Sequence, residues 1–343
     1  MSVRPDGIGV GGCFVVVERR RVVVSVLLVV ALLAALAVAL MFGEETLWPR
    51  QLVDVLSGGG TRGDRTLLLD LRANRVIVAA LAGAALGVAG AVMQSVTRNP
   101  LASPDILGIS AGASAGAVIV IVANDGVLDG KSWAAPVGAI VGGLVIAAGI
   151  AAFSVGMDPL RLVLAGIALS SLCGAIVTYL VAIADPEVAA HAYIWLSASL
   201  AGREAEHIWP VATALVPAIA VIVPLSRRAS MLSLGAVRAH SLGVPVARTE
   251  RGLLLVSVLL TSLATAATGP IGFVAFVAPQ ITARLTRTAS PPLVVSGLTG
   301  ATLVLCADAA ARTILPWSAP IGAVTSALGA PILIYFLWRA VRV

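Results

Sequence analysis

Charge is scarce in this chain. Asp, Glu, Lys and Arg make up 12% of its 343 residues, where a soluble domain carries about a quarter. Aromatic residues are at 4%. A net charge of +6 thus comes without the stacking platforms that single-stranded nucleic acid uses, and no nucleic-acid partner is expected. Three cysteines, Cys13, Cys173 and Cys306, lie far apart with no CxxC spacing, which excludes a zinc ribbon or a redox pair. Three histidines, His191, His207 and His240, are scattered and form no metal-ligand spacing. No cofactor is expected. An ATPase motif is missing too. Gly126-Val127-Leu128-Asp129-Gly130-Lys131-Ser132 resembles a phosphate-binding loop, but three residues separate its glycines where four are required.

What remains is apolar: 59% hydrophobic residues and a mean hydropathy of +1.02. Such a chain cannot cover itself with polar groups, so its solvent is lipid. A spanning helix takes about 20 residues, and the apolar content suffices for about ten. They fall near 22–42, 73–96, 106–123, 134–155, 162–184, 208–225, 252–268, 271–283, 292–314 and 321–338. The reading is an all-α polytopic membrane protein with a cytoplasmic tail at 1–21, loose through residue 18, and a transmembrane domain over 22–343. Residues 43–70 fit an outside loop with a short interfacial helix at 47–56. A second short helix, at 192–200, belongs to the outside segment 185–207. Arginines gather in the segments assigned to the cytoplasm, including the long loop 226–251, as the positive-inside rule requires. Both termini then face the cytoplasm. The parity of the spans lets 2–5 and 7–10 run in opposite senses, compatible with an inverted repeat. The spans are nearly free of ionisable groups. Asp308 is the main exception, and Arg312, four residues on, shares its helix face. A chain without an ion relay needs an external motor for uphill transport.

One stretch, 71–116, organises the rest. Arg72 and Arg75 open it. A run rich in small residues follows to Met93-Gln94, then Asn99-Pro100-Leu101-Ala102, then Gly108-Ile109-Ser110-Ala111-Gly112. This closely resembles the signature of permease subunits of the iron-siderophore, haem and cobalamin family of ABC importers. Further matches are Leu232-Ser233-Leu234-Gly235, Gly269-Pro270-Ile271-Gly272-Phe273, Ala278-Pro279, Ala307-Asp308, Ala311-Arg312, Pro320-Ile321-Gly322 and Leu328-Gly329-Ala330-Pro331. Two departures stand out: Asn74 where the family usually has Pro, and Gln280 where it usually has His.

The resemblance implies the type II ABC importer permease fold in the plasma membrane, and an ATP-driven importer passing an iron-siderophore complex. Haem or cobalamin is the alternative cargo, and an ion-coupled secondary transporter the rival class. It implies two ATPase subunits, a second permease copy (identical or related) and an extracytoplasmic binding protein, with no ATPase activity in this chain. Arg72, Arg75 and Arg312 would meet acidic residues of the binding protein. The lesser alternative, on pattern alone, is that they snorkel to lipid phosphates. The cytoplasmic loop suits either a membrane surface or a protein groove by its amphipathic pattern. The resemblance assigns Leu232, Ser233, Leu234, Gly235, Arg238, Ala239, Leu242 and Gly243 to ATPase coupling. The pathway wall is expected to include Ser170, Ser171, Thr178, Trp195, Ser197 and Ser199, with a cytoplasmic gate at Met157, Asp158 and Pro159.

Overall fold

The computed structural model describes residues 7–10, 13–16, 19–43, 45–124, 133–153, 159–200, 212–213, 217, 221–222, 225–226, 228–232, 235–313 and 319–341. The tail is not loose throughout. Gly7–Val10 (β1) and Cys13–Val16 (β2) pair antiparallel, with Val10 opposite Cys13, and the branched residues Ile8, Val10, Val15 and Val16 suit a strand. The other regular elements among the described residues are helical: α1 (Arg19–Met41), α2 (Pro49–Leu56), α3 (Arg62–Arg65), a π-helical stretch at Thr66–Ala73, α4 (Asn74–Thr97), α5 (Ile109–Ala123), α6 (Ala134–Phe153), α7 (Pro159–Ile183) and α8 (Pro186–Leu196). The second part of the chain holds α9 (Ala236–Ser241), α10 (Val246–Thr268), α11 (Val274–Thr286), α12 (Leu293–Thr313) and α13 (Ile321–Val341).

Nine of the ten expected spans are helices among the described residues, and the sixth falls mostly outside them. Five helical segments are long and apolar enough to cross a bilayer, one of them the continuous run Arg62–Thr97. The second span therefore starts earlier than its apolar run suggests, because α3 and the π-helical stretch lead straight into α4. The short helix expected at 192–200 comes earlier, at Pro186–Leu196, where Pro186 occupies the first turn as helix starts favour.

α4 is the central post, buried almost all round from Val76 to Val96. Lipid gives apolar helices no hydrophobic incentive to associate, so small residues and close backbone approach hold them together. A Cβ added at Gly87 would stand 2.2 Å from the Ser296 carbonyl oxygen on α12. One added at Gly90 would stand 1.6 Å from that of Ala275 on α11. α1 faces outward, with Val22, Val26, Leu27 and Leu33 exposed, as suits a helix bathed in lipid.

The packing repeats itself. α4 lies against α12 and α11, while α10 lies against α6 and α5; α5 packs on α6, and α11 on α12. Exchanging the four helices α4–α7 for α10–α13 thus reproduces the neighbour pattern. The repeat has a shared irregularity. α5 has 15 residues and α11 has 13, giving about 22 Å and about 20 Å of helix against a hydrocarbon layer of about 30 Å. Non-helical chain completes each passage: 98–108 before α5 and 269–273 before α11. Both helices start from a left-handed residue, Gly108 at φ 80° and Phe273 at φ 64°.

Candidate functional site

Three regions carry the residues singled out by sequence. The first is the arginine cluster at the end of α1. Arg75 donates through Nε and Nη2 to Asp308 Oδ1 at 3.0 and 2.7 Å. Arg312 Nη2 stands 2.9 Å from Asp308 Oδ2. Asp308 itself is fully buried. The expected Asp308–Arg312 pair is present, and Arg75 makes it a triad. Arg72 is turned inward and only 5% exposed. Its Nη1 donates to the carbonyls of Leu40 and Met41 at 2.9 and 3.1 Å, and its Nη2 to that of Glu45. Arg312 Nη2 adds a bond to Ala39 at 3.1 Å. The last carbonyls of α1, left without partners by helix geometry, are thus capped by two cations, which the helix dipole favours. The inward turn of Arg72 was not legible because the π-helical stretch before it changes the face on which each side chain emerges.

The second region is the arginine-rich loop expected to face the cytoplasm. Gly235 (φ 105°) and Gly243 (φ 79°) bracket α9, whose short length follows from those two backbone reversals. Leu232 and Ala239 are buried in the main apolar cluster with Val244. Val237 is 81% and Leu242 58% exposed, and Arg238 and His240 are exposed beside them. The loop is anchored by one face and shows apolar side chains flanked by cations on the other. Ser233 and Leu234 lie outside the described residues.

The third region is the pathway candidates on α7 and α8. Ser171 and Thr178 are exposed, each hydroxyl bonded to its own helix at Ile167 and Gly174. They share their exposure with Leu164, Ile167, Leu172, Tyr179 and Ile183, so α7 has a long face without a neighbour among the described residues. Ser170 is half-buried and packs towards Gly108. Trp195, expected on the wall, is buried in a cluster with Ala113, Ala117, Ile121 and Ala266; its indole body serves packing. Ser197 is half-buried and bonds Tyr193 and Ile194, and Ser199 is half-buried. Of the gate residues, Met157 and Asp158 lie outside the described residues, and Pro159 opens α7.

Sequence reasoning passed over a fourth cluster. Gln280 Nε2 donates to Gln94 Oε1 at 2.7 Å and to the Pro100 carbonyl at 2.9 Å, and Gln94 Nε2 donates to the Phe276 carbonyl at 3.2 Å. The two glutamines tie α4, α11 and segment 98–108 together. Asp105 lies deeper in the same segment. Ser110 donates to its Oδ1, the backbone N–H of Phe273 faces its carboxyl, and Oδ2 is buried without a hydrogen bond. The available signal was a lone acidic residue in a turn flanked by uncharged runs, with Ser110 five positions on. Among the described residues no group of His, Cys, Asp and Glu could hold a metal ion.

Residues 27–339 match the FecCD transport family. The ferric enterobactin transport permease FepG of Escherichia coli is 37% identical over 95% of this chain and 98% of its own. The iron(3+)-hydroxamate import permease FhuG of Bacillus subtilis is 35% identical over 88% of this chain and 93% of its own. Among solved structures, an inward-facing metal-chelate-type ABC transporter superposes with a TM-score of 0.80 at 26% identity, covering 92% of this chain and 99% of that one.

Proposed function

The chain belongs to the FecCD transport family, and from that premise we propose that it passes ferric siderophores through the membrane as the permease subunit of an ATP-driven importer. The carrying observation is the near full-length identity to permeases of ferric enterobactin and ferric hydroxamates. The physical counterpart is the scarcity of ionisable groups in the spans, which leaves no relay for an ion-driven cycle. A partner ATPase supplies the work. Two permease copies meet along their open faces, and the exposed side of α7, with Ser171 and Thr178, supplies polar groups to the pathway.

Coupling to the ATPase runs through α9, where Val237, Arg238 and Leu242 offer apolar contact beside positive charge. Docking of an extracytoplasmic binding protein falls to the arginine cluster. Two guanidinium groups, those of Arg75 and Arg312, share one buried carboxylate there, with Arg72 held beside them by backbone carbonyls, and the surplus positive charge suits acidic residues on a partner, which steer encounter and fix orientation. The arginine-rich segments, the chain termini among them, face the cytoplasm.

The test is uptake of radio-iron siderophores into proteoliposomes holding this permease, its ATPase and its binding protein. Accumulation requires ATP. Accumulation driven by a proton or sodium gradient without the ATPase would refute the reading. Arg75→Glu weakens binding-protein affinity while Arg75→Gln weakens it less; equal affinity in a folded Arg75→Glu variant removes the docking assignment.

A further inference from the structure

Segment 98–108 has no regular structure, yet a different element holds each part of it. At its start Arg98 adopts a left-handed conformation (φ 52°). Its guanidinium lies beside Gly235, the residue before α9: a Cβ placed on Gly235 would stand 4.0 Å from Arg98 Nη1. In the middle, Gln280 of α11 holds the Pro100 carbonyl. On one side Asn99, Ser103 and Leu107 line a small cavity with Val163 of α7. At the far end Asp105 sits between the start of α5, through Ser110, and the start of α11, through Phe273.

Asp105 is unusual for its surroundings. A buried carboxylate normally has a cation or a full set of donors. Among the described residues no cationic side chain pairs with it, and Oδ2 has no donor. Its compensation comes from two helix N-termini, each carrying about half a positive charge. Phe273, whose N–H faces it, has a left-handed backbone that is unfavourable for a side-chain-bearing residue. The shared irregularity of the two halves, a short helix begun from a left-handed residue, therefore converges on one side chain.

We propose that Asp105 is a positioning residue for the transport cycle: it clamps the starts of α5 and α11 to segment 98–108, so that movement of α9 against Arg98 reaches both short helices together. The proposal rests on the permease reading. Without the clamp, α9 still responds to the ATPase, but the displacement is absorbed in a slack segment before it reaches the pathway.

The experiment uses the complete complex with its ATPase and binding protein in proteoliposomes, a radio-iron ferric hydroxamate as probe, and three measurements on each variant: thermal midpoint, ATP hydrolysis and uptake. Asp105→Ala is expected to keep ATP hydrolysis close to wild type while uptake per ATP falls about tenfold, within the ordinary range of coupling between sites. Asp105→Asn keeps the shape and one acceptor but not the charge, and falls part-way; it serves alone if the alanine variant does not fold. A residue that only stabilises the fold lowers midpoint, hydrolysis and uptake together and leaves uptake per ATP unchanged; that pattern overturns the proposal, as does wild-type behaviour of both variants. If the wild-type complex itself shows no ATP-dependent uptake of any ferric siderophore, the permease reading fails and the proposal with it.

Discussion

Gly90 offers the sharpest test of how this bundle is held. A methyl group there would sit 1.6 Å from the Ala275 carbonyl oxygen and 2.6 Å from its carbon. Carbon and oxygen do not tolerate a separation under about 3 Å, so α11 has to withdraw by about 1.4 Å, and overpacking on that scale costs about 1–3 kcal/mol or more. The displaced neighbour is backbone, so no side-chain rotation relieves it. The same withdrawal lengthens the 3.2 Å bond from Gln94 to Phe276 beyond useful range. Gly90→Ala should therefore lower the thermal midpoint in detergent and reduce uptake disproportionately, because segment 98–108 loses its hold on α11. Gly149→Ala is the control. Nothing lies within 4 Å of a Cβ there, and a helical Gly→Ala change is worth up to about 1 kcal/mol in favour of the helix. If Gly90→Ala and Gly149→Ala have the same midpoint, close backbone approach is not what holds α4 to α11.

Asp308→Asn leaves Arg75 and Arg312 without their shared carboxylate, and breaking a buried pair of this kind costs about 3–5 kcal/mol; a thermal scan should show a larger loss than for Arg75→Gln, where Arg312 keeps its partner. Gln280→His tests the departure from the family pattern. Neutral imidazole has one N–H, so one of the two bonds made by Nε2 is lost, at about 0.5–1.5 kcal/mol, and the midpoint should fall modestly at neutral pH. Val237→Asp places a charge on a side chain that is 81% exposed, so the isolated permease should melt as wild type while co-purification of the ATPase drops.

The sequence made the long elements legible because each is an uninterrupted apolar run with arginine or a turn at its end: Arg19–Met41, Val246–Thr268 and Leu293–Thr313 fall within a few residues of expectation, save for the earlier start of the span at Val246. It concealed the places where backbone leaves the helical pattern. Nothing in Ile271-Gly272-Phe273 says that α11 begins only at Val274, since an apolar residue suits a helix and an extended passage alike. The junction at Asp105 depends on two segments separated by about half the chain, and hydropathy carries no such information. Arg72, Arg75 and Arg312 were visible as part of the pattern that carries the resemblance. Only the structure shows that Arg72 turns to the carbonyls of α1, because that contact is a matter of side-chain direction. Trp195, expected on the pathway wall, is buried within an apolar cluster of this chain, which a sequence pattern does not reveal.

The caps on α1 have a bearing on how the protein is made. The carbonyls of Ala39, Leu40 and Met41 wait for guanidinium groups from Arg72 and, much later in synthesis, Arg312. The first helix is thus secured in two steps along the chain: Arg72, close behind it in sequence, claims Leu40 and Met41, while Ala39 is left for Arg312 on α12. A chain cut before α12 would hold α1 by the nearer arginine alone.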